Sequence, residues 1–237
     1  DLRFDCGGVR VGFEICEDAW VADRPAARLA ARGVDVILNP SASHFAFGKD
    51  EIRRRLVTEG SRTAGAAYVY ANLVGNEAGR AIYDGGVIVA NAGAIVAAGR
   101  RFSFGEIALT AAVVDLDAGR LAQARMAAPA PEDDGAARVP VALTPPALVP
   151  QRDDVGDRRD AWERGPHVKE EEFARAVALG IFDYLRKSRA RGAVVSASGG
   201  VDSSAVACLV ALAVRFAAAE SSPAAVLDRL GRGDLVA

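Results

Sequence analysis

The first hundred residues alternate short apolar runs with amphipathic stretches. A strand is predicted at 9–15, a helix at 25–32, a strand at 34–38, a helix at 49–64 and a strand at 68–73. The stretch "YDGGVIVANAGAIVAAG" then reads as two β-rich runs around an Asn91-Ala92-Gly93 turn, followed by a further strand at 107–115. Alternation of this kind predicts an α/β fold. From about 118 the periodicity fades into proline-rich, mixed-charge sequence, "APAPEDDGAARVP" and "QRDDVGDRRD", which predicts a linker. Periodicity returns near 166. Phe173, Val177, Ile181 and Leu185 fall at helical spacing, and a β-branched run at 193–195 leads into a long alanine-rich helix from 205. The expected division is a unit at 1–117, a linker at 118–165 and a second unit at 166–237.

Composition narrows the class. About half of the 237 residues are hydrophobic, 51%, so a sizeable core is possible, and the formal net charge of −2 argues against a nucleic-acid surface. No apolar run is read as long enough to span a bilayer, and the N-terminus lacks signal-peptide character. Three cysteines, Cys6, Cys16 and Cys208, suit neither a disulfide framework nor a zinc site, and a reducing cytoplasm is expected.

Two stretches carry chemistry. In "SASGGVDSSAVACLV", Ser198, Gly199, Gly200, Val201, Asp202, Ser203 and Ser204 link the predicted strand to the long helix. Adjacent glycines let backbone N–H groups turn toward an anion, and a helix N-terminus adds donors and a positive dipole end. The stretch lacks the Gly-Lys-Ser/Thr of P-loop NTPases. It reads as either a phosphate cradle or a serine-glycine turn that caps a core helix. In "VGFEICEDAW", Cys16 follows a strand directly, where a thiol can be exposed on a sharp turn as a nucleophile or buried as a small hydrophobe. For Cys6 and Cys208 the buried reading is kept.

The Ser-Gly-Gly-Val-Asp-Ser-Ser loop resembles that of the N-type ATP pyrophosphatases, which grip the pyrophosphate of ATP while adenylating a substrate. The stretch 12–20 resembles the cysteine elbow of the nitrilase superfamily in its glutamine-hydrolysing form, Gly-x-x-Ile-Cys-Glu-Asp-x-Trp. "NPSASHFAFGK" and "ANLVGNEAGRAIYDGG" are similar to later segments of that family. The resemblance implies Cys16 as nucleophile, the Glu17 N–H as an oxyanion donor, and Glu17, Ser43 and Lys49 around the α-amino and carboxylate ends of glutamine. Ala19 stands where the family often has an aromatic. A glutamate base and a lysine precede the elbow in that family, so Glu14 and Lys49 are not assigned those roles. His44 and Asp18 receive none.

Together the two halves, in this order, resemble the glutamine-dependent NAD synthetase family. That resemblance implies a ligase in which ammonia from glutamine amidates adenylated deamido-NAD, with ATP and Mg2+ required and the metal residues unknown. The implied partners are small molecules, without nucleic acid or membrane, in a homo-oligomer. The implied fold is part of an α-β-β-α sandwich followed by the start of a Rossmann-like parallel-sheet domain. The chain then reads as a fragment, truncated at both ends and inactive alone. A stand-alone carbon–nitrogen hydrolase and a non-catalytic binding module are the alternatives.

Overall fold

A computed structural model of the chain describes residues 2–77, 79–125, 138–144 and 159–235. Its first part is a seven-stranded mixed sheet. β1 (Arg3–Cys6) and β2 (Val9–Phe13) form a hairpin through Gly7 and Gly8, and β2 runs parallel to β3 (Val36–Ser41), which runs parallel to β4 (Ala67–Asn72). β7 (Val87–Asn91) and β8 (Ala94–Ala98) extend the sheet antiparallel, and β9 (Arg138–Val141) closes the other edge beside β1, giving the order β8-β7-β4-β3-β2-β1-β9. β5 (Val74–Glu77) and β6 (Ala81–Asp84) pair as a separate two-stranded ribbon.

Helices α1 (Pro25–Ala31) and α2 (Lys49–Ala64) pack on one face of the large sheet. α2 begins after Gly48 and ends at Gly65, both in the left-handed region, so it is bounded where backbone freedom allows. Leu29, Val34, Ile37, Val57, Tyr68, Tyr70, Ile88 and Ala90 make the core between the layers. The turn joining β7 and β8 is Ala92-Gly93 at φ 50 and 80, the two left-handed residues that a tight hairpin requires.

A second core lies over the ribbon. α4 (Val168–Ser188) packs on β5 and β6 and carries α5 (Val201–Glu220) and α6 (Pro223–Arg229), burying Phe102, Phe104, Leu179, Phe182, Ala213, Ala217 and Val226. The buried face of α4 is rotated from the predicted stripe. Phe173 is 51% exposed, while Glu172 and Asp183 are buried. Arg101 donates to Glu172 at 2.9 Å and the Asn76 N–H donates to Asp183 at 2.8 Å, so ion pairs and a backbone bond, rather than hydropathy alone, set the face.

Several expectations are corrected. Residues 107–115 and 193–195 are not strands: no described residue pairs with them, and Ile107, Leu109 and Val194 are largely exposed, so local β preference meets no ladder. Within the stretch expected as a linker, α3 (Leu116–Arg125) docks on the first core, Gln123 donating to the carbonyls of Val34 and Ala64 and Arg120 pairing with Asp35, and β9 joins the sheet. The rest of that stretch, 126–137 and 145–158, lies outside the described residues. α5 also corrects the reading that no apolar run is long enough for a bilayer. It has 20 residues, an 18-residue window of it has mean hydropathy 1.7 with 11% of that window buried, and by length and composition alone it is long and apolar enough to cross one.

Candidate functional site

Strand β2 carries its residues alternately to the two faces, and Glu14, the next inward position, is fully buried. The Glu14 N–H continues the ladder to the Leu38 carbonyl at 3.0 Å. Its carboxylate accepts from Arg24 Nη2 at 2.7 Å and Nε at 3.2 Å, from the Ala26 N–H at 3.0 Å and from the Tyr68 hydroxyl at 2.5 Å. Burial and the Glu14 charge together push the Tyr68 phenol far above its ordinary range.

Two residues on, Cys16 opens a 3₁₀ turn, Cys16–Trp20, at φ 49. A left-handed cysteine costs about 1–2 kcal/mol against the right-handed alternative, and such strain persists only where surroundings fix it. Asp18 supplies part of that fixing: its carboxylate accepts from the Ile15 N–H at 3.2 Å, and its own N–H donates to the Ile15 carbonyl at 3.0 Å. Cys16 is half-buried and Glu17 is exposed.

Lys49, the first residue of α2, leans toward the same turn. Its ammonium donates to the His44 carbonyl at 3.0 Å and lies 5.9 Å from the centre of the Trp20 ring. Burial, then the neighbouring Arg53 charge, hold its pKa below the ordinary lysine value, with Asp84 and Cys16 acting in the opposite sense. Ser43 is buried one step behind. Its N–H donates to Asn72 Oδ1 at 2.8 Å, its carbonyl accepts from Asn72 at 2.9 Å and Arg53 at 2.8 Å, and its hydroxyl accepts from Arg53 at 3.2 Å.

Arg53 is 1% exposed and spans both oxygens of Asp84 at 2.7 Å. Asp84 is in turn shared with Asn72 and Arg101, and Arg101 reaches Glu163 at 2.7 Å as well as Glu172. This buried chain of charges sets the position of Ser43 and joins the first core to α4. Tyr70, beside it, has its phenol pushed up to about 12 by burial.

The Ser198–Ser204 stretch lies elsewhere, at the N-terminus of α5. Gly199 is left-handed at φ 84, and the Gly200 N–H faces Ser198 Oγ at 3.5 Å. The hydroxyls of Ser203 and Ser204 donate to the Gly200 carbonyl at 3.1 and 2.9 Å, and Ser198 and Ser203 oxygens sit 3.2 Å apart. Val201 is 83% exposed. Hence the two predicted sites are separate. Lys49 stands beside the Cys16 turn, Ser43 lies behind them in the charged chain, and no hydrogen bond or ion pair among the described residues links them to the loop. Cys208, expected to be buried, is exposed on α5.

Sequence reasoning missed Glu14, Arg24, Tyr68, Arg53, Asn72 and Asp84. A signal was present for Glu14, because a carboxylate at the inward register of an apolar strand requires a buried partner. Among the described residues no three His, Cys, Asp or Glu side chains converge as a metal site.

Both stretches fall within ranges matched by family models. The carbon-nitrogen hydrolase family model matches residues 3–126, and the NAD synthase family model matches residues 173–227. Glutamine-dependent NAD(+) synthetases from Oryza sativa and Homo sapiens are 34% and 32% identical over 202 and 200 residues, 85% and 84% of this chain. The chain spans 28% of the length of either relative. Among solved structures, the glutamine-dependent NAD(+) synthetase of Cytophaga hutchinsonii is 35% identical, with a TM-score of 0.67 over 99% of this chain and 30% of its own. That of Acinetobacter baumannii, solved with ADP, has a TM-score of 0.61 at 23% identity, covering 90% of this chain and 32% of its own, a likeness of fold.

Proposed function

This chain belongs to the carbon–nitrogen hydrolase family, and from that premise we propose that it is part of a glutamine-dependent NAD synthetase. The observation that carries the proposal is the presence in one chain of both family matches, in order, each containing its own chemical motif: the cysteine elbow within 3–126 and the serine-glycine loop within 173–227.

In this reading Cys16 Sγ attacks the carboxamide carbon of glutamine. The C–S bond forms, the C–N bond breaks with a proton delivered to nitrogen, and ammonia leaves a γ-glutamyl thioester that water hydrolyses to glutamate. The left-handed backbone at Cys16 supports this role because it turns the thiol out of the strand, and it leaves the Glu17 N–H on the turn as a donor to the developing oxyanion. Lys49, beside the turn, attracts the substrate carboxylate; exposed Glu17 attracts its ammonium. Ser43 serves as a fixed wall rather than a free hydroxyl, since Arg53 and Asn72 hold it. The proton-transfer base is not assigned to any residue of this sequence.

At the second site, the Ser198–Ser204 loop receives the phosphates of ATP on backbone N–H groups and the α5 dipole. The carboxylate of deamido-NAD attacks the α-phosphorus of ATP and pyrophosphate leaves; ammonia then attacks the acyl carbon of the adenylate, the C–N bond forms, the C–O bond to AMP breaks and a proton is lost, giving NAD and AMP. Ser203 and Ser204 must first release the Gly200 carbonyl to turn toward phosphate. Among the described residues no three metal-ligating side chains converge, and magnesium would enter as the counter-ion of ATP. Free Cys6, Cys16 and Cys208 suit a reducing cytoplasm.

The test uses the intact protein with deamido-NAD, ATP and magnesium, supplied with either glutamine or ammonium, and follows NAD and AMP by chromatography. NAD from both nitrogen sources, with one AMP per NAD, is the expected result. Absence of NAD from both, with folded protein, would remove the proposal.

A further inference from the structure

We infer that Glu14 is a positioning residue for the Cys16 nucleophile: a buried clamp that holds the left-handed elbow by tying the end of β2 to the start of α1. The inference rests on the reading of Cys16 as a nucleophile.

The turn that carries Cys16 lies between Glu14, the last buried residue of β2's run, and Arg24, just before Pro25 opens α1. Glu14 grips the chain beyond that turn at two points, the Arg24 guanidinium and the Ala26 N–H, and grips the sheet at a third, the Tyr68 hydroxyl of β4. The ten-residue arc between Glu14 and Arg24 is thereby closed at its base. A strained residue inside a closed arc cannot relax by letting the ends drift apart.

The alternative for a carboxylate so near a thiol is proton transfer. Glu14 is fully buried, and its two oxygens already accept four hydrogen bonds. It points to the α1 side of the sheet, into Arg24 and Tyr68, whereas Ile15 and Glu17 on either side of Cys16 are exposed. Tyr68 is itself fixed by Asn39, which donates to its hydroxyl at 3.1 Å. The carboxylate therefore acts through geometry.

The experiment measures two things on the intact protein: alkylation of each cysteine by iodoacetamide across pH, read by peptide mass spectrometry, and glutamine hydrolysis. Cys208, exposed on α5, serves as the internal control. Glu14→Gln keeps an oxygen for Ala26 but presents an amide to Arg24, and Tyr68→Phe removes only the hydroxyl. Both are expected to change the plateau rate of Cys16 alkylation by about fivefold or more, leave its apparent pKa and the Cys208 rate unchanged, and lower kcat more than KM rises. If Glu14→Gln does not fold, Tyr68→Phe alone decides. Unchanged Cys16 alkylation in the folded variants overturns the clamp. So does loss of a limb of the kcat pH profile in Glu14→Gln with the alkylation plateau intact, because that result makes Glu14 a base. If the parent protein hydrolyses no glutamine yet the alkylation pattern holds, the clamp stands and the proposed reaction falls.

Discussion

The two motif-bearing turns of this chain are built differently. The Cys16 turn sits at the edge of a closed core, with a carboxylate clamp below it and a chain of buried ion pairs beside it. The Ser198–Ser204 turn is exposed at the head of a helix that is open to solvent around much of its circumference, at Val206, Cys208 and Val214 among others, and its hydroxyls are turned onto their own helix. A strained backbone needs surroundings that over-determine it, whereas an anion cradle needs only a helix end and glycines. The geometry of the first turn therefore depends on residues distant in sequence, and that of the second on local conformation.

That contrast can be broken at several points. The largest effect is on activity: Cys16→Ala in the intact protein is expected to lower glutamine-dependent NAD formation by at least about 10³-fold while ammonium-dependent formation persists, measured as initial rates. Equal loss with both nitrogen sources would merge the two sites into one. Next, Arg53→Met leaves Asp84 with one fewer buried cation and frees Ser43, and should cost about 3–5 kcal/mol in urea unfolding.

Asp35→Asn should cost about 2 kcal/mol at pH 7. Burial raises the Asp35 carboxyl, but hydrogen bonds from Arg10 and Arg120 outweigh it and hold the folded pKa far below the ordinary value. A carboxyl depressed on folding stabilises above its unfolded value, near 4, and loses that contribution as pH falls toward the folded one. The gap between parent and variant should therefore shrink steadily below about pH 4 in acid titrations followed by circular dichroism. The smallest effects separate the two regions by packing. Val57→Ala, at a fully buried position on the inner face of α2, should cost about 2 kcal/mol, and Val214→Ala, on the open side of α5, under about 0.5 kcal/mol. Similar costs would mean that α5 is covered in the intact protein.

Local rules recovered most of the first unit. The helix at 49–64 has the predicted bounds because Gly48 and Gly65 flank it, and the hairpin falls where Ala92-Gly93 lets both positions turn left-handed. What failed depended on partners. Hydropathy predicts a stripe on α4 through Phe173, Val177, Ile181 and Leu185, yet Arg101 draws Glu172 inward and turns Phe173 out. The run at 193–195 has β-branched residues but no neighbouring strand among the described residues. Cys16, Glu17, Lys49 and the serine-glycine loop are singled out by residue types at local spacing, and their roles belong to the proposed function. The clamp at Glu14 and the Arg53–Asp84 pair are not, since each joins positions 10 to 54 residues apart and a single sequence does not display such pairing.

In this reading half-buried Cys16 is a nucleophile set in a built site, whereas Cys208 is an exposed thiol on a helix face. The most direct measurement treats the intact protein with a glutamine analogue that carries a diazoketone in place of the carboxamide, and maps the product by mass spectrometry. One adduct, on the peptide containing Cys16 and suppressed by glutamine, is predicted. Modification of Cys208 in preference to Cys16, or no adduct on folded protein, would contradict it.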